Sequence, residues 1–400
     1  MRKHYISNLR WITVLWLIPY HAACVFRPSR YRDFFVTAPG GKAIYEKLVF
    51  LSYPWFMPVL FVLAGVSAYY ALDKRTPGQF ARERVTKLLV PLAFCTALLS
   101  PVQIYFSELS HYLRAPSGSY LEFLKYFFST DFGGYVGGFS FTGFWYIRFL
   151  FYMSIICLPA MVWFKRRGAA VERFIASLPL PAILGLFIFP AEGFLRSRSD
   201  YSFPEYICFF LLGFFVLSNE AVQEKIRRWA WPLAALAAAL AVPNLYMRCV
   251  TRTDYGVTYW VLYRLLRWAS VLALFGLAKA YLDRRNRLTD YLTATSYSVY
   301  LLHQTILVTI AYYVVNYFKT HSGVSLHAQY FMVVGLTALA TFLAQAVIRR
   351  IPGLRRMLGV TGTARGKAAQ AAQMSQAAQT VPDGGADGDS SGEDGGSTGG

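Results

Sequence analysis

Long apolar runs follow one another through most of this sequence and leave few possible folds. Ten runs approach the length of a membrane-spanning helix, and they cover residues 8–26, 48–72, 88–106, 143–164, 178–195, 203–218, 230–247, 258–282, 294–318 and 327–350. A helix needs ~20 apolar residues to cross the hydrocarbon core of a bilayer, where backbone polar groups must be satisfied internally. The composition, 56% hydrophobic with only 15% charged residues, fits the same class. We therefore predict an all-α, polytopic integral membrane protein with about ten transmembrane helices.

The positive charges of the chain are unevenly distributed between the loops. Basic clusters occupy every second loop, at residues 74–87, 165–173, 225–228, 279–287 and 349–356. With the basic residues near both termini, that side of the predicted bundle holds 24 Lys and Arg, against 12 on the other side. Because cytoplasmic loops are enriched in Lys and Arg, we predict a multi-pass protein of the cytoplasmic (inner) membrane with both termini cytoplasmic. The same rule accounts for the net charge of +19, so we predict no nucleic-acid partner.

The last part of the sequence differs in composition from the apolar remainder. From about residue 360 it is rich in Ala, Gln, Gly, Ser and Asp, and residues 368–400 hold five acidic and no basic residues. Such a segment cannot bury enough apolar surface to offset the entropy of ordering. We predict a transmembrane domain over residues 1–357 and a disordered cytoplasmic tail over residues 358–400.

Two ionisable residues stand in the first apolar run, Arg10 near its start and His21 near its end. Eleven helical residues make three turns plus about 20°, so both side chains point to one face, ~16 Å apart along the axis. Pro19 removes a backbone donor beside the histidine. An ionisable side chain inside a membrane is costly and indicates a functional site. The alternative is a structural histidine that hydrogen-bonds to a neighbouring helix.

A second histidine, His303, belongs to a polar stripe in the ninth run. Ser296, Tyr300 and His303 follow the spacing i, i+4, i+7, which places them on one face of an otherwise apolar helix. This face must meet a cavity or another helix, because lipid offers no hydrogen-bond partner. The alternative interpretation is that the stripe only joins helices through hydrogen bonds.

Further candidates stand where the third and fourth runs begin. Arg84 and Lys87 precede Pro91 on the predicted cytoplasmic side, and such side chains bind phosphates. Ordinary enrichment of positive charge in cytoplasmic loops explains them equally well. Trp145 is a candidate interface anchor, and Arg148 lies deeper in its run, where it needs a partner or a cavity.

Several other chemistries find no support in the sequence. The five cysteines form no CxxC pair, there is no HExxH or HxxxH, and neither membrane histidine has a carboxylate beside it. The nucleophile motif GxSxG and the phosphate-binding Walker A motif do not occur. We therefore predict no metal site and no bound cofactor, and a histidine able to act as a general base remains.

Taken in order, the motifs of this chain resemble those of the acyltransferase-3 family of bacterial membrane acyltransferases, and most of all its branch that includes glucans biosynthesis protein C. The segments that carry the resemblance are LRWITVLWLIPYH, FMPVLFVLAGVSAYYAL, FARERVTKLLVP, GFWYI, FFLLGFF and SYSVYLLHQT, spread over about residues 4–350. Two positions depart from the family pattern. Ser7 stands where the family usually has Asp, and Gly143 stands where it often has His.

The resemblance implies an O-acyltransferase that moves an acyl group from a cytoplasmic thioester, acyl-coenzyme A, to a hydroxyl of a cell-envelope or lipid-linked glycan. It implies that His21 is the catalytic base. We predict substrate or donor binding by seven further residues: Arg10, Arg84, Lys87, Trp145, Arg148, Tyr300 and His303. The predicted partners are the lipid bilayer, the acyl donor and the hydroxyl-bearing acceptor. A secondary transporter or flippase with a His/Arg polar pathway is the alternative from another class.

Overall fold

A computed structural model describes residues 3–28, 34–111, 119–129, 142–189, 202–251, 256–321 and 323–358. All regular elements in these residues are helices. They are α1 (His4–Phe26), α2 (Ala43–Ser52), α3 (Phe56–Leu72), α4 (Pro77–Arg84), α5 (Val90–Leu98), α6 (Ser100–His111), α7 (Tyr120–Ser129), α8 (Trp145–Ile156), α9 (Leu158–Arg167), α10 (Ala169–Ser177), α11 (Leu180–Gly185), α12 (Phe203–Phe215), α13 (Glu220–Arg228), α14 (Ala230–Tyr246), α15 (Val257–Tyr281), α16 (Arg287–Thr320), α17 (Leu326–Arg350) and α18 (Pro352–Met357). The predicted tail lies outside the described residues apart from its first residue.

The described helices confirm an all-α, multi-pass membrane protein. Seven helical segments are long and apolar enough to cross a bilayer: His4–Phe26, Ala43–Leu72, Pro77–His111, Ala230–Cys249, Val257–Tyr281, Arg287–Thr320 and Leu326–Arg350. Three bent pairs, α8 with α9, α10 with α11 and α12 with α13, raise the number to ten if each pair is one span. The predicted number of about ten therefore corresponds to the upper end of this range.

The bends have local causes that the hydropathy pattern does not show. The angle between α10 and α11 is 108°, and Pro179 and Pro181 stand at this break and cannot continue a helix. The angle between α12 and α13 is 103°, where Asn219 caps α13 by accepting hydrogen bonds from Ala221 and Val222. These two bends lie at the start of the fifth predicted run and at the end of the sixth, whereas the 49° bend between α8 and α9 lies inside the fourth.

Polar contacts gather the N-terminal end of α1 with the ends of several other helices. Lys3 pairs with Glu220 of α13, the Tyr5 amide donates to Asp283 after α15, and the Asn8 side chain donates to the Leu282 carbonyl at 2.6 Å. Burial lowers the pKa of the Lys3 ammonium, but its hydrogen bonds with Glu220 and Tyr70 raise it, and the net shift is upward. We call this the proximal end of the bundle. The opposite, distal end holds the last residues of α1 and the first of α2 and α17, where Tyr45 meets His327 at 2.7 Å.

Two glycines let α3 and α12 pack with their backbones in close approach. A Cβ atom added at Gly65 would stand 2.0 Å from the Phe210 carbonyl oxygen, and one added at Gly213 would stand 2.3 Å from the Val62 carbonyl oxygen. Small residues permit this kind of packing between membrane helices, where dispersion contacts rather than the hydrophobic effect hold helices together. The pair fixes the second and sixth spans against each other beside the site described below.

We expect Gly65→Ala to lower the free energy of unfolding by about 1–3 kcal/mol, the usual cost of overpacking a tight interface. The matched control is Gly335→Ala on the exposed face of α17, where an added Cβ meets nothing within 4 Å. Thermal unfolding of both variants in detergent measures the difference. Equal melting temperatures for the two variants would contradict the close approach.

Candidate functional site

The two membrane histidines, 282 residues apart in the chain, meet in the interior of the bundle. His21 of α1 is half-buried and His303 of α16 is buried, and the His21 Nδ1 and His303 Nε2 atoms are 3.1 Å apart. Their rings are stacked, with centroids 5.2 Å apart and an interplanar angle of 9°. The sequence singled out both residues but gave no reason to join them.

The partners of this pair fix which ring nitrogens carry protons. His303 Nδ1 lies 2.7 Å from the Tyr300 carbonyl oxygen and 3.1 Å from that of Val299. A carbonyl oxygen only accepts, so His303 Nδ1 is the donor, and Nε2 of a neutral His303 must accept. His21 Nδ1 therefore donates to His303 Nε2. The Nε2 atom of His21 is left with its lone pair, as a general base requires.

Aromatic rings enclose His21 on its other sides. The Phe34 ring stacks on the imidazole at a centroid distance of 5.7 Å, and Tyr20 lies edge-on at 5.2 Å. Tyr20 in turn contacts Phe56 at the start of α3, at 4.5 Å. These rings cover part of the His21 imidazole. A reactant can reach the part of the side chain that stays exposed.

Arg10 finds a partner on α3 in place of the acidic residue that the family usually has at the position of Ser7. Its Nη2 atom donates to the Ser67 hydroxyl at 2.5 Å and to the Leu63 carbonyl at 3.2 Å. Both acceptors are uncharged, so the positive charge of Arg10 is hydrogen-bonded but not neutralised. Arg10 lies eleven helical residues before His21, which corresponds to ~16 Å along the axis of α1.

Arg84 lies close enough to Arg10 for the two positive charges to interact, and both interact with the Tyr146 hydroxyl. The Arg84 guanidinium stacks 4.4 Å from the Phe80 ring, and its buried Nε atom has no hydrogen-bond partner among the described residues. Within the part of the chain that the structure describes, neither arginine forms an ion pair. The nearby Glu83 carboxylate is already paired with Arg75 and Lys87, so the Arg10 and Arg84 guanidinium groups make a place where an anion would be favourable.

Lys87 is placed differently from Arg84. Its ammonium is exposed and pairs with Glu83 at 3.1 Å, so the structure does not bring it to the Arg10 and Arg84 side chains. Its backbone has a separate role: Pro91 cannot donate to the Lys87 carbonyl, and the chain forms a π-helical turn over Val85–Leu89. The Tyr297 hydroxyl of α16 donates to that carbonyl at 2.7 Å. One helix thereby holds both the arginine segment and, through His303, the histidine pair.

The remaining predicted residues, Trp145, Arg148 and Tyr300, contact aromatic rings of the bundle. Trp145 is half-buried, and its ring centroid is 5.3 Å from that of Tyr206 and 6.1 Å from that of Phe61, so its ring contacts both α12 and α3. The Arg148 guanidinium lies 5.5 Å from the Phe149 ring. Tyr300 is buried, contacts the Tyr146 ring at 5.4 Å, and supplies the carbonyl that holds His303.

Gly143, the second departure from the family pattern, has a structural explanation. A Cβ atom at this position would stand 2.3 Å from the Gln103 side-chain oxygen. Gln103 is buried and donates to the Thr305 hydroxyl at 2.7 Å, two residues beyond His303. In this chain Gln103 fills the space that a larger residue at 143 would need. Sequence reasoning missed Gln103, Ser67, Tyr146 and Tyr297, although all of these except Gln103 stand in segments that carry the family resemblance.

No group of three or more His, Cys, Asp or Glu side chains in the described residues is arranged to hold a metal ion.

A family model described as "Acyltransferase domain" (Acyl_transf_3) matches residues 3–346, from the start of α1 to the last turns of α17. The match confirms the family that the sequence motifs indicated, whereas the branch that includes glucans biosynthesis protein C stays a prediction. Comparisons with curated proteins and with solved structures gave no match.

Proposed function

Because the chain belongs to the acyltransferase family, we propose that it transfers an acyl group from acyl-coenzyme A to a hydroxyl of a cell-envelope or lipid-linked glycan. The observation that supports this proposal most directly is the hydrogen-bonded His21–His303 pair, which leaves His21 Nε2 as a base. An alcohol is a weak nucleophile until a base takes its proton, whereas a thioester is already activated toward attack. The residues thus fit an acyl transfer between these two reactants.

The proposed reaction begins when His21 Nε2 takes the proton of the acceptor hydroxyl. The acceptor oxygen attacks the thioester carbonyl carbon, and the new C–O bond gives a tetrahedral intermediate. When this intermediate collapses, the C–S bond breaks, and the thiolate of coenzyme A takes the proton back from His21. His303 Nε2 accepts the His21 Nδ1 hydrogen bond throughout, and this bond strengthens while His21 carries a positive charge. His303 is therefore a positioning residue in this proposal.

The donor phosphates are proposed to bind at Arg10 and Arg84. Both arginines are on the proximal side of the histidine pair, and neither forms an ion pair among the described residues, since the neighbouring Glu83 carboxylate pairs with Arg75 and Lys87. The ~16 Å along α1 between Arg10 and His21 leaves room for the extended arm that joins the phosphates of coenzyme A to its thioester. Lys87 adds positive charge at the exposed entrance, and Trp145, Arg148 and Tyr300 line the path between donor and base.

The proposal also sets the orientation in the membrane. The proximal end faces the cytoplasm, where acyl-coenzyme A is present, so both termini are cytoplasmic in the inner membrane. His21 is nearer the distal end, where an extracytoplasmic acceptor arrives. The acyl group would then cross most of the bilayer while it is still attached to its donor.

Reconstitution in liposomes tests the function directly. Purified protein receives radiolabelled acyl-coenzyme A and an envelope glycan extract, and both the acylated glycan and solute movement are measured. The proposal expects labelled glycan without net solute transport. Solute transport without label on glycan would support the transporter alternative instead.

We expect Arg84→Ala to raise the KM for acyl-coenzyme A by about 10- to 150-fold, the ratio that loss of one charge-assisted hydrogen bond gives, with little change for the acceptor. Arg82→Ala is the matched control because Arg82 is exposed, two residues away, and its loss changes the net charge equally. Steady-state kinetics with each substrate varied in turn measures the effect. Equal effects of both substitutions would instead favour a general role of positive charge in topology.

A further inference from the structure

A cavity in the bundle is lined by neither His21 nor His303. It occupies about 350 Å³ between α14, α15 and the junction of α2 and α3. The α14 wall consists of small side chains on one helix face, Ala234, Ala237, Ala238 and Ala241, which follow the spacing i, i+3, i+4, i+7. We call this cavity the alanine slot.

The dimensions of the alanine slot fit one hydrocarbon chain. Its lining runs from Ala234 to Leu245 on α14 and from Leu266 to Leu277 on α15, and eleven helical residues rise ~16 Å. A volume of about 350 Å³ over that length gives a cross-section of roughly 20 Å². Carbon–carbon contacts of ~3.5–4.0 Å give a polymethylene chain a cross-section of about 15–20 Å². The slot is therefore wide enough for one such chain along its length.

The surroundings of the slot indicate where such a chain comes from. The segments on both long walls, Ala230–Cys249 and Val257–Tyr281, are membrane-spanning, so the slot lies within the depth of the bilayer. The neighbouring α14 residues Ala235, Ala239 and Val242 are exposed, which places this helix at the periphery of the bundle. Hydrocarbon chains of the bilayer therefore have direct access to the slot.

One polar group distinguishes the slot from an ordinary lipid-facing surface. Asn244 lines its distal part, is 3% exposed, and has a side-chain oxygen without a hydrogen-bond donor among the described residues. A buried acceptor without a donor costs about 1–3 kcal/mol, so a ligand that supplies an N–H or O–H group there is favoured. Hydrocarbon alone gains little in a membrane, because the bilayer is equally apolar. Selectivity must then come from Asn244.

We propose that the alanine slot binds one chain of a bilayer glycerolipid whose polar region donates a hydrogen bond to Asn244. Phosphatidylethanolamine, with N–H donors, fits this description, whereas phosphatidylcholine has none. The bound chain packs against Trp55, whose other side meets Trp16 of α1 at a ring distance of 5.9 Å. The lipid thereby supports the helix that carries His21 without entering the candidate site.

Photocrosslinking in nanodiscs tests the proposal with the full chain. Phosphatidylethanolamine and phosphatidylcholine with the same diazirine-bearing chain are compared, and the labelled peptides are mapped by mass spectrometry. We expect labelling of Ser270 and Ala273, which line the slot and are only 7% and 3% exposed, so that lipid on the outer surface reaches them poorly. Labelling by phosphatidylethanolamine should exceed that by phosphatidylcholine about two- to tenfold, as one net hydrogen bond allows.

Variants separate the slot from the rest of the lipid-facing surface. Ala237→Phe fills the slot and should remove the labelling of Ser270 and Ala273, whereas Ala239→Phe, on an exposed face outside the slot, should leave it unchanged. Asn244→Leu should keep the labelling but equalise the two lipids. If Ala237→Phe fails to fold, Ala238→Leu serves in its place. Unlabelled Ser270 and Ala273, unchanged labelling in the filled variant, or displacement of the label by excess long-chain acyl-coenzyme A would overturn the proposal.

Discussion

We expect His21→Ala to lower the rate of acyl transfer by about 10²- to 10⁴-fold, the usual contribution of a general base. The substitution removes the Nε2 atom that takes the proton of the acceptor hydroxyl. His21 is half-buried, and among the described residues its polar contact is with His303, so the truncated chain should still insert and fold. The measurement is the single-turnover formation of acylated glycan by purified protein, alongside thermal unfolding in detergent.

The control for this prediction is His321→Ala. His321 is exposed, follows α16, and bonds only within its own helix end, so its loss should leave transfer within a factor of about two. A His21→Ala variant that melts like the wild type and still makes product at a near-normal rate would remove His21 from the mechanism. The acyltransferase family membership would stand, and another base would have to be sought.

Substitutions of His303 should lower the rate of acyl transfer to different extents, depending on whether the new side chain can accept a hydrogen bond. We expect His303→Gln to lower the rate less than His21→Ala does, because the glutamine oxygen can still accept the hydrogen bond of His21 Nδ1. His303→Leu removes that acceptor, leaves the His21 tautomer unfixed, and should lose more activity than His303→Gln. Rates that fall equally in both His303 variants would show that ring packing, and not the hydrogen bond, is what His303 provides.

The sequence predicted the spans well because the apolar composition of each run is enough to identify it as a segment within the membrane. A helix in lipid must be apolar over its whole length, whatever its neighbours are, so counting runs finds α1 and α14–α17 without tertiary information. The predictions were weaker where a break is local. Pro179 and Pro181 stand where the chain bends at the start of the fifth run, Asn219 caps the helix that follows the sixth, and the α8–α9 bend lies inside the fourth. Hydropathy averages over such single residues.

The same distinction separates the predicted from the unpredicted parts of the site. Arg10 and His21 share a helix face, which follows from their spacing, and the stripe that contains His303 follows from periodicity. That His21 meets His303 depends on how α1 packs on α16, and no local pattern reports that contact. The Ser67 partner of Arg10 and the Tyr297 bond to the Lys87 carbonyl arise in the same way, from contacts between distant parts of the chain.

Arg267 illustrates the cost of a charge within a span. Arg267 lies in the eighth apolar run, and its Nη1 atom pairs with Glu205 of α12, with both side chains nearly inaccessible to solvent. The guanidinium lies 5.6 Å from the Tyr206 ring and 5.4 Å from the Phe209 ring. These rings belong to the helix that packs on α3, so the ion pair joins α15 to the glycine-mediated α3–α12 contact.

We expect Arg267→Met to lower the free energy of unfolding by about 3–5 kcal/mol, because it leaves Glu205 as an uncompensated buried charge. Glu205→Leu should cost a similar amount by leaving the guanidinium alone. The double variant, Glu205→Leu with Arg267→Met, removes both charges and should recover most of the loss, since apolar side chains of similar volume can replace a buried ion pair at little cost. Chemical unfolding of the three variants in one detergent gives the double-mutant cycle.

The sign of the coupling decides what the pair does. Recovery in the double variant means that the destabilisation of each single variant comes from the isolated charge, and the pair then contributes specificity of α12–α15 packing more than net stability. Additive losses would mean that each side chain has an independent role. Arg267 could have one through its Nε and Nη2 atoms, which find no hydrogen-bond acceptor among the described residues. Acyl transfer should return with stability in the double variant, because neither residue touches the histidine pair. A stable double variant that remains inactive would place Arg267 or Glu205 in the acceptor site instead.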